Sequence, residues 1–181
     1  TGPLGPFTEV GTDTLRRVVD VNVVGTLLCS RRAAQLMTPR GEGVIVNISS
    51  GAGIVPQGGM AHYVAAKHAV TGLSGSLRTE ARQYGVKVTC VCPGAIESEI
   101  LETTTYRGLD GQKIREKAPR VFMTADECAR QILRGVEKNR GIVPITKITK
   151  VNWALYRFSP ALGARLNEVR FRMMKKIGGG R

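Results

Sequence analysis

Tyr63 and Lys67 stand four positions apart, and their side-chain types suit them to proton transfer. A stretch with helical patterning begins here, and residues i and i+4 of a helix share a face with their side chains a few ångströms apart. A free phenol has a pKa near ~10, and a neighbouring cation lowers it because the cation stabilises the phenolate. We therefore expect Lys67 to lower the pKa of Tyr63 and the pair to act as an acid/base.

Ser50 is placed by the sequence to meet the same reacting group. It follows the apolar run 44–48, which is predicted to be a parallel β-strand. Ligands of open α/β sheets bind where such strands end. A hydroxyl at that position can hydrogen-bond the oxygen of a carbonyl or alcohol while Tyr63 protonates or deprotonates it.

These residues resemble the catalytic set of the short-chain dehydrogenase/reductase family. The family's catalytic Ser stands thirteen positions before its Tyr, which selects Ser50 over Ser49, and its Tyr-x-x-x-Lys falls on Tyr63 and Lys67. A fourth catalytic member, an Asn midway along the preceding helix, matches Asn22. The resemblance implies that Tyr63 transfers the proton, Ser50 orients and polarises the substrate oxygen, and Lys67 lowers the Tyr63 pKa. It implies that Asn22 supports a water leading protons to Lys67.

The resemblance also implies contacts to a nicotinamide cofactor, NAD or NADP. A Pro-Gly pair closes the next strand, and the loop behind it would bring Ile96 backbone groups and the Ser98 hydroxyl near the carboxamide. The family more often has Thr at the position of Ser98, and Ser keeps the hydroxyl. Lys67 would also hold the nicotinamide ribose. The residues that the resemblance assigns to the cofactor are Tyr63, Lys67, Pro93, Gly94, Ile96 and Ser98.

The Gly-rich turn that approaches the cofactor pyrophosphate in such folds is missing from the sequence. No G-x-G-x-x-G motif is present, and Gly51-x-Gly53 comes after the wrong strand. The position that would distinguish NAD from NADP belongs to the same missing part. The sequence also begins without Met. We expect residues 1–181 to match the C-terminal two-thirds of a family member, with an unpaired sheet edge and part of the core exposed.

Two interpretations of the missing turn are open. The sequence is a fragment or mis-started reading frame of a working dehydrogenase, or it is a short product that has lost cofactor binding. The intact Asn22, Ser50, Tyr63 and Lys67 favour the first interpretation. The expected function is therefore NAD(P)-dependent interconversion of a secondary alcohol and a ketone. The alternative is a non-catalytic fragment that binds a membrane or a protein.

Patterning along the chain predicts an α/β fold, a doubly wound parallel sheet of Rossmann type. Strand, helix and strand with short joints form the βαβ unit of such sheets. The first strand is continuously apolar, as in a sheet covered on both faces. The predicted elements are a loop at 1–11, a helix from 12 to about 37 with Thr12 as N-cap and Pro39 as its stop, a strand at 44–49, a glycine-rich loop at 51–59, a helix at 61–84 ended by Gly85, a strand at 86–92, a helix from 124 to about 139 and a strand at 142–145.

Two further segments border the predicted site. Residues 99–117 are polar and broken by glycines, which fits either a mobile lid or a surface insertion. Residues 153–177 are predicted to form a basic amphipathic helix that docks on the domain, contacts a membrane or lipid, or binds a partner protein. Its apolar residues are Leu155, Phe158, Leu162, Leu166, Val169 and Met173, and its basic residues are Arg157, Arg165, Arg170, Arg172, Lys175 and Lys176.

Length and composition fit one domain, residues 1–181, with the sheet and its helices at 1–146 and a basic extension at 147–181. The hydrophobic content of 42% and charged content of 23% indicate a globular protein, and no apolar run is long enough to span a bilayer. No basic-then-apolar leader is present, so the expected location is the cytoplasm, with peripheral membrane contact through 153–177 as an option.

Charge, cysteines and histidines add few functional signals. The net charge of +13 is concentrated toward the C-terminal end, and since no nucleic-acid motif accompanies it we expect no nucleic-acid partner. No cysteine has a zinc or redox spacing, and Cys90 and Cys92 are predicted to be buried strand thiols. The histidines are predicted to serve packing or the surface. The four cysteines and two histidines are Cys29, Cys90, Cys92, Cys128, His62 and His68.

The expected partners follow from the same features. The long basic and apolar tail motivates the hypothesis of a lipophilic substrate, such as a steroid, a retinoid or a fatty-acyl derivative. A homodimer is a further expectation, and no metal site is expected.

Overall fold

The chain folds around a three-stranded parallel sheet whose strands lie side by side in their order along the chain. The computed structural model describes residues 2–117 and 122–179. In the register, Gly43 pairs with Val86 and Ile48 with Val91, while Cys90 pairs with Ile142. The parallel α/β architecture predicted from the sequence is thereby confirmed. The strands are β1 (Gly43–Ile48), β2 (Val86–Cys92) and β3 (Ile142–Pro144).

One long helical stretch precedes β1, at the predicted place, but it is not uniform. It consists of α1 (Thr12–Val19), a π-helical turn (Asp20–Val24) and α2 (Gly25–Met37). Pro39 lies in the 3₁₀ turn that follows Met37. The prediction of Thr12 as N-cap is wrong, because Gly11 takes the extended cap conformation and accepts the first helical hydrogen bond, from the Leu15 N–H.

The helix α3 (Ala61–Ala81) connects β1 to β2 and completes the predicted βαβ unit. A 3₁₀ turn prolongs it, and Gly85 then reverses the chain at φ 70°. A Cβ atom on Gly85 would overlap the carbonyl oxygen of Gly41, so this position requires glycine. Ile45 and Val88 pack against the end of α3 at Ala81, which anchors the helix on the sheet.

The second half of the chain adds helices around β2 and β3. Thr124 caps the helix that begins at Ala125, where the sequence predicts a helix start, since its hydroxyl accepts from the Glu127 N–H at 3.3 Å. Cys128 of the same helix packs with Val91, Val143 and Ile145 in a separate core cluster. The helices after β2 are α4 (Ile100–Thr103), α5 (Gly111–Lys117), α6 (Ala125–Glu137), α7 (Lys147–Phe158) and α8 (Pro160–Ile177).

The C-terminal segment differs from its prediction. A single helix was expected over 153–177, but Ser159 is extended and separates α7 from α8. Pro160 is the first residue of α8, where its missing N–H costs no hydrogen bond, and the Ser159 hydroxyl accepts from the Leu162 N–H at 3.3 Å. The segment is therefore a helical hairpin.

The sheet is not covered evenly. The side chains of β2 from Val88 to Cys92 are fully buried. In contrast, β1 is an outer strand whose Val44, Val46 and Ile48 side chains are exposed. The prediction that β1 is covered on both faces is therefore wrong, whereas the expected exposure of a sheet edge and of core residues is observed. Among the described residues, no helix has the length and apolarity needed to cross a membrane.

Candidate active site

Tyr63 and Lys67 lie together at the start of α3, as their spacing predicts. The Lys67 ammonium nitrogen is 5.6 Å from the centroid of the Tyr63 ring. The same nitrogen donates a hydrogen bond of 3.1 Å to the carbonyl oxygen of Ile48, the last residue of β1. The pair therefore stands at the carboxyl end of β1, where the sequence placed it.

Ser50 joins this pair from the turn that follows β1. It is the N-cap of a 3₁₀ turn, and its hydroxyl accepts from the Ala52 N–H at 3.2 Å. The Ser50 side chain also lies near enough to the Tyr63 phenol to oppose the rise in the Tyr63 pKa that burial causes. Phenol, hydroxyl and ammonium thus converge in one place, which is the arrangement needed for proton exchange with a substrate oxygen.

The expected direction of the Tyr63 pKa is wrong for this chain. Burial raises the pKa of Tyr63 because it removes water from the phenolate, and the nearby Ser50 side chain only opposes that effect. Burial also lowers the pKa of Lys67, against an opposing influence of the Cys90 and Cys92 thiols. The Lys67 ammonium donates to a backbone carbonyl and lies over the ring, so it does not offset the desolvation of the phenol.

Asn22 lies in the π-helical turn, which packs against α3. Its side-chain amide nitrogen donates to the carbonyl oxygen of Val18 at 3.0 Å, and its backbone carbonyl accepts from the Thr26 hydroxyl at 2.7 Å. The Asn22 side chain thus donates within its own helix. The structure brings the turn that carries Asn22 beside the helix of Tyr63 and Lys67.

Two residues that the sequence reasoning passed over fix the position of Lys67. The Ser49 hydroxyl donates to the Lys67 carbonyl oxygen at 2.9 Å, and the Thr71 hydroxyl donates to the same oxygen at 3.0 Å. The two hydroxyl oxygens are themselves 2.9 Å apart. A signal existed for Thr71, which stands one helical turn after Lys67 on the same face. Ser49 was set aside because the catalytic spacing selected its neighbour.

A buried polar chain ties three elements together one layer deeper. The Ser30 hydroxyl of α2 donates to the Asn47 side-chain oxygen at 3.0 Å, and the Asn47 amide donates to the Ser74 hydroxyl of α3 at 3.1 Å. All three residues are buried. The signal for this chain was Asn47 itself, a polar residue within an otherwise apolar strand. These hydrogen bonds attach α2 and α3 to β1.

The residues predicted for the cofactor follow β2. The carbonyl of Pro93 accepts from the Gly51 N–H at 2.7 Å, which joins this loop to the turn of Ser50. A Cβ atom on Gly94 would overlap the hydroxyl oxygens of Thr146 and Thr149 at the start of α7. Ile96 forms a parallel bridge with Met123, and the Ser98 hydroxyl donates to the Ile96 carbonyl at 3.3 Å. All four predicted residues therefore lie beyond the carboxyl end of β2.

Apolar side chains cover the loop between Ser50 and Tyr63. Phe171 of α8 lies against Gly58, with 2.7 Å between its Cγ atom and the position of a Cβ on that glycine. Met174 and Leu4 lie against Gly59 in the same way. In the buried core, Trp153 and Tyr156 of α7 pack against the cluster formed by Ile54, Val55, Cys90 and Cys92. A cavity of about 720 Å³ lies between α3 and α7, and neither Ser50 nor Tyr63 lines it.

Histidines and cysteines serve packing here. His62 is 6% exposed and lies against Gly2 and Val18, and burial lowers its pKa. His68 bonds the Val64 carbonyl through Nδ1 at 2.9 Å. Cys90 and Cys92 are buried thiols as predicted, with 4.0 Å between their sulfur atoms. Within residues 2–117 and 122–179, no group of three His, Cys, Asp or Glu side chains is placed to hold a metal ion.

Comparisons with known proteins find relatives that are named as dehydrogenases. The 2,5-dichloro-2,5-cyclohexadiene-1,4-diol dehydrogenase of Sphingobium indicum is 38% identical over 98 residues, which cover 54% of this chain and 39% of that protein. The farnesol dehydrogenase of Aedes aegypti is 41% identical over 109 residues, covering 55% of this chain and 44% of that protein. The chain thus spans about two-fifths of the length of these curated relatives.

A solved structure extends the similarity to nearly the whole chain. The short-chain dehydrogenase from Sphingobium yanoikuyae in complex with NADPH superimposes with a TM-score of 0.70 at 25% identity, over 94% of this chain and 61% of that one. The bulky-bulky ketone specific alcohol dehydrogenase from Comamonas testosteroni, at 22% identity and a TM-score of 0.65, shares the fold. A family model described as short chain dehydrogenase matches residues 2–107, which include Asn22, Ser50, Tyr63 and Lys67. The chain belongs to the short-chain dehydrogenase family.

Proposed function

We propose that this chain is the catalytic part of an NAD(P)-dependent oxidoreductase that interconverts a secondary alcohol and a ketone. The convergence of the Tyr63 phenol, the Ser50 side chain and the Lys67 ammonium at the carboxyl end of β1 carries the proposal. Family membership supports it, as do the dehydrogenase names of the relatives. Because the chain covers only part of those relatives, the activity belongs to whatever polypeptide contains these residues.

In the proposed reaction, Tyr63 exchanges a proton with the substrate oxygen. Ser50 donates to the same oxygen and holds it beside the phenol, since its side chain lies near that phenol. Lys67 places a positive charge over the Tyr63 ring and attaches this part of α3 to β1 through its bond to Ile48. Asn22 lies in the π-helical turn beside α3 and is assigned the support of a water that relays protons to Lys67. Bound NAD or NADP supplies or accepts the hydride.

The residues after β2 fit the nicotinamide half of that cofactor. Lys67 is assigned to the ribose, while the Ile96 backbone and the Ser98 hydroxyl are assigned to the carboxamide. The Gly51–Pro93 hydrogen bond supports this assignment, since it holds the loop beside the turn of Ser50. The sequence contains no G-x-G-x-x-G motif for the pyrophosphate half. The proposed cofactor is therefore either NAD or NADP.

The proposed substrate is lipophilic. Its support is the apolar cover that Leu4, Phe171 and Met174 place over Gly58 and Gly59, in the loop between Ser50 and Tyr63. Farnesol, the alcohol named for the Aedes aegypti relative, shares this lipophilic character but is a primary alcohol, whereas the proposed substrate is a secondary one. Turnover confined to small polar alcohols, such as sugars or amino-acid alcohols, would overturn this assignment of substrate class.

The test compares Tyr63→Phe with Tyr84→Phe in assays with NAD⁺, NADP⁺ and a panel of lipophilic and polar secondary alcohols. Removal of the Tyr63 hydroxyl removes the proton donor, so we expect kcat to fall about a thousandfold while cofactor binding is retained. Tyr84 is exposed at the far end of α3, and its variant keeps the parent rate. A Tyr63→Phe enzyme that retains most of its rate refutes the assignment.

A non-catalytic role is the second candidate, and the missing pyrophosphate motif together with the exposed outer face of β1 favours it. Nucleotide-induced stabilisation separates the two. A rise in Tm on adding NAD⁺ or NADP⁺ that survives Tyr63→Phe supports the dehydrogenase, because binding and proton transfer use different atoms. The absence of both stabilisation and turnover supports the non-catalytic fragment.

A further inference from the structure

The α7–α8 hairpin presents two different apolar faces. One face is docked on the domain through Trp153, Tyr156, Phe171 and Met174, which pack on the sheet side and on the loop after Ser50. None of these four belongs to the stripe of apolar residues that the sequence pattern singled out in this segment. Docking half-buries Leu155 of that stripe beside Val55 but leaves the other stripe residues exposed.

The second face is an exposed stripe along α8, made of Leu162, Leu166, Val169 and Met173. These residues recur every four or three positions, so they form one continuous row on the helix. Their exposed fractions are 44%, 38%, 52% and 60%. Phe158, at the turn of the hairpin, is 90% exposed and extends the apolar surface beyond the end of the row.

Positive charge borders the exposed stripe. Arg165, Arg172 and Lys176 each stand three positions after a stripe residue, which places them beside it on the helix surface. Glu168 is the only acidic residue of the hairpin, and its carboxylate pairs with Arg172. Arg165 and Lys176 form no ion pair within the described part of the chain. The basic residues of the hairpin are Lys147, Lys150, Arg157, Arg165, Arg170, Arg172, Lys175 and Lys176.

We propose that the exposed stripe, with Phe158 at its end, lies on the surface of an anionic lipid membrane. Helices that bind in the plane of a bilayer bury an apolar row at the acyl boundary and keep a strongly basic border at the headgroups. The charge of the hairpin complements anionic headgroups, which attract basic residues near the membrane surface. No covalent chemistry is involved, and the proposal does not depend on the reaction assigned to Tyr63.

The charge of the hairpin argues against a second copy of the chain as the occupant. A heptad-like row can also form a helix–helix seam, but two such faces would bring Arg165 and Lys176 of one copy against the same charges of the other. Repulsion between those borders opposes pairing, whereas a lipid surface of negative charge attracts them. The membrane therefore fits both the apolar row and its border.

Flotation of the full chain with lipid vesicles tests the proposal. We expect binding to vesicles of phosphatidylcholine and phosphatidylglycerol at three to one, and little binding to phosphatidylcholine alone. Raised salt should weaken the binding, because screening reduces the attraction between the basic border and the headgroups. The charge variant Arg165→Gln/Lys176→Gln should bind the anionic vesicles about tenfold less. The apolar variant Leu166→Ser/Val169→Ser should show a similar loss.

Matched substitutions on other surfaces control for general effects of charge and apolarity. Arg31→Gln/Arg32→Gln on α2 and Leu133→Ser on α6 replace exposed residues of the same types and should leave binding unchanged. Equal binding to both kinds of vesicle, or equal losses in the controls and in the stripe variants, overturns the proposal. A lipid-free dimer that Leu166→Ser/Val169→Ser converts to a monomer also overturns it and assigns the stripe to a second copy.

Discussion

The Ser49 hydroxyl donates a hydrogen bond to the Lys67 carbonyl oxygen at 2.9 Å, so the end of β1 is attached directly to α3, the helix that carries Lys67. The Lys67 side chain returns to the same strand end, because its ammonium bonds the Ile48 carbonyl. Strand and helix are thus joined twice within one helical turn of Tyr63. The position of Lys67 relative to the phenol depends on this attachment as well as on the spacing along α3.

Ser49→Ala is predicted to affect both stability and turnover. The loss of a buried hydrogen bond leaves the Lys67 carbonyl with Thr71 alone and should lower the free energy of unfolding by about 1–2 kcal/mol. Because Lys67 is then held less firmly, we expect kcat to fall more than KM rises. Ser49→Thr keeps the hydroxyl and should restore most of kcat. Ser76→Ala, an exposed position on α3, is the control, and equal effects of the two alanine variants would contradict the positioning role.

Asn47→Leu is predicted to lower the free energy of unfolding more than the change in side-chain volume suggests. The substitution leaves the Ser30 hydroxyl without its acceptor and removes the donor to Ser74, and all three side chains are buried. Unfolding by urea should show a loss of about 2–3 kcal/mol. Ser74 keeps its bond to the Val70 carbonyl at 2.7 Å, so most of the cost should come from Ser30.

A double-mutant cycle separates this network from simple packing. Ser30→Ala combined with Asn47→Leu removes the orphaned hydroxyl and should recover part of the lost stability, giving a coupling free energy of about 1 kcal/mol. Strictly additive effects would mean that Ser30 and Asn47 act independently, and the proposed link between α2 and β1 would have to be abandoned.

The local features of the site were predictable because short-range geometry determines them. The Tyr63–Lys67 spacing fixes a shared helix face, Gly85 fixes the end of the helical stretch, and Thr124 fixes the start of α6. The break at Ser159 also has a local signal, because Ser followed by Pro is a typical helix start. The apolar periodicity continues across this position and therefore predicts a single helix.

The remaining differences come from contacts between residues that are distant in the sequence. The docking of Trp153 and Phe171 depends on surfaces formed by β2 and by the loop after Ser50, which no local pattern reveals. The direction of the Tyr63 pKa depends on burial by the assembled chain, whereas spacing shows only the neighbouring cation. The exposure of Val44 on β1 likewise depends on which elements stand beside the strand.

His62 predicts how stability depends on acid pH. Burial lowers its pKa below the ordinary value of 6.5, so the unfolded chain binds a proton more readily than the folded chain. Its contribution to stability is therefore present above pH 6.5 and is lost as the pH falls through the lower pKa of the folded state. Replacement by an uncharged residue of similar shape removes this loss. The free energy of unfolding of His62→Gln, measured by urea at several pH values, should fall less steeply below neutral pH than that of the parent chain.

The control on α3 is His68→Gln, because the His68 ring bonds a carbonyl of its own helix. Parallel pH profiles for the parent and His62→Gln would show that His62 is hydrated or protonated in the folded chain, contrary to its burial.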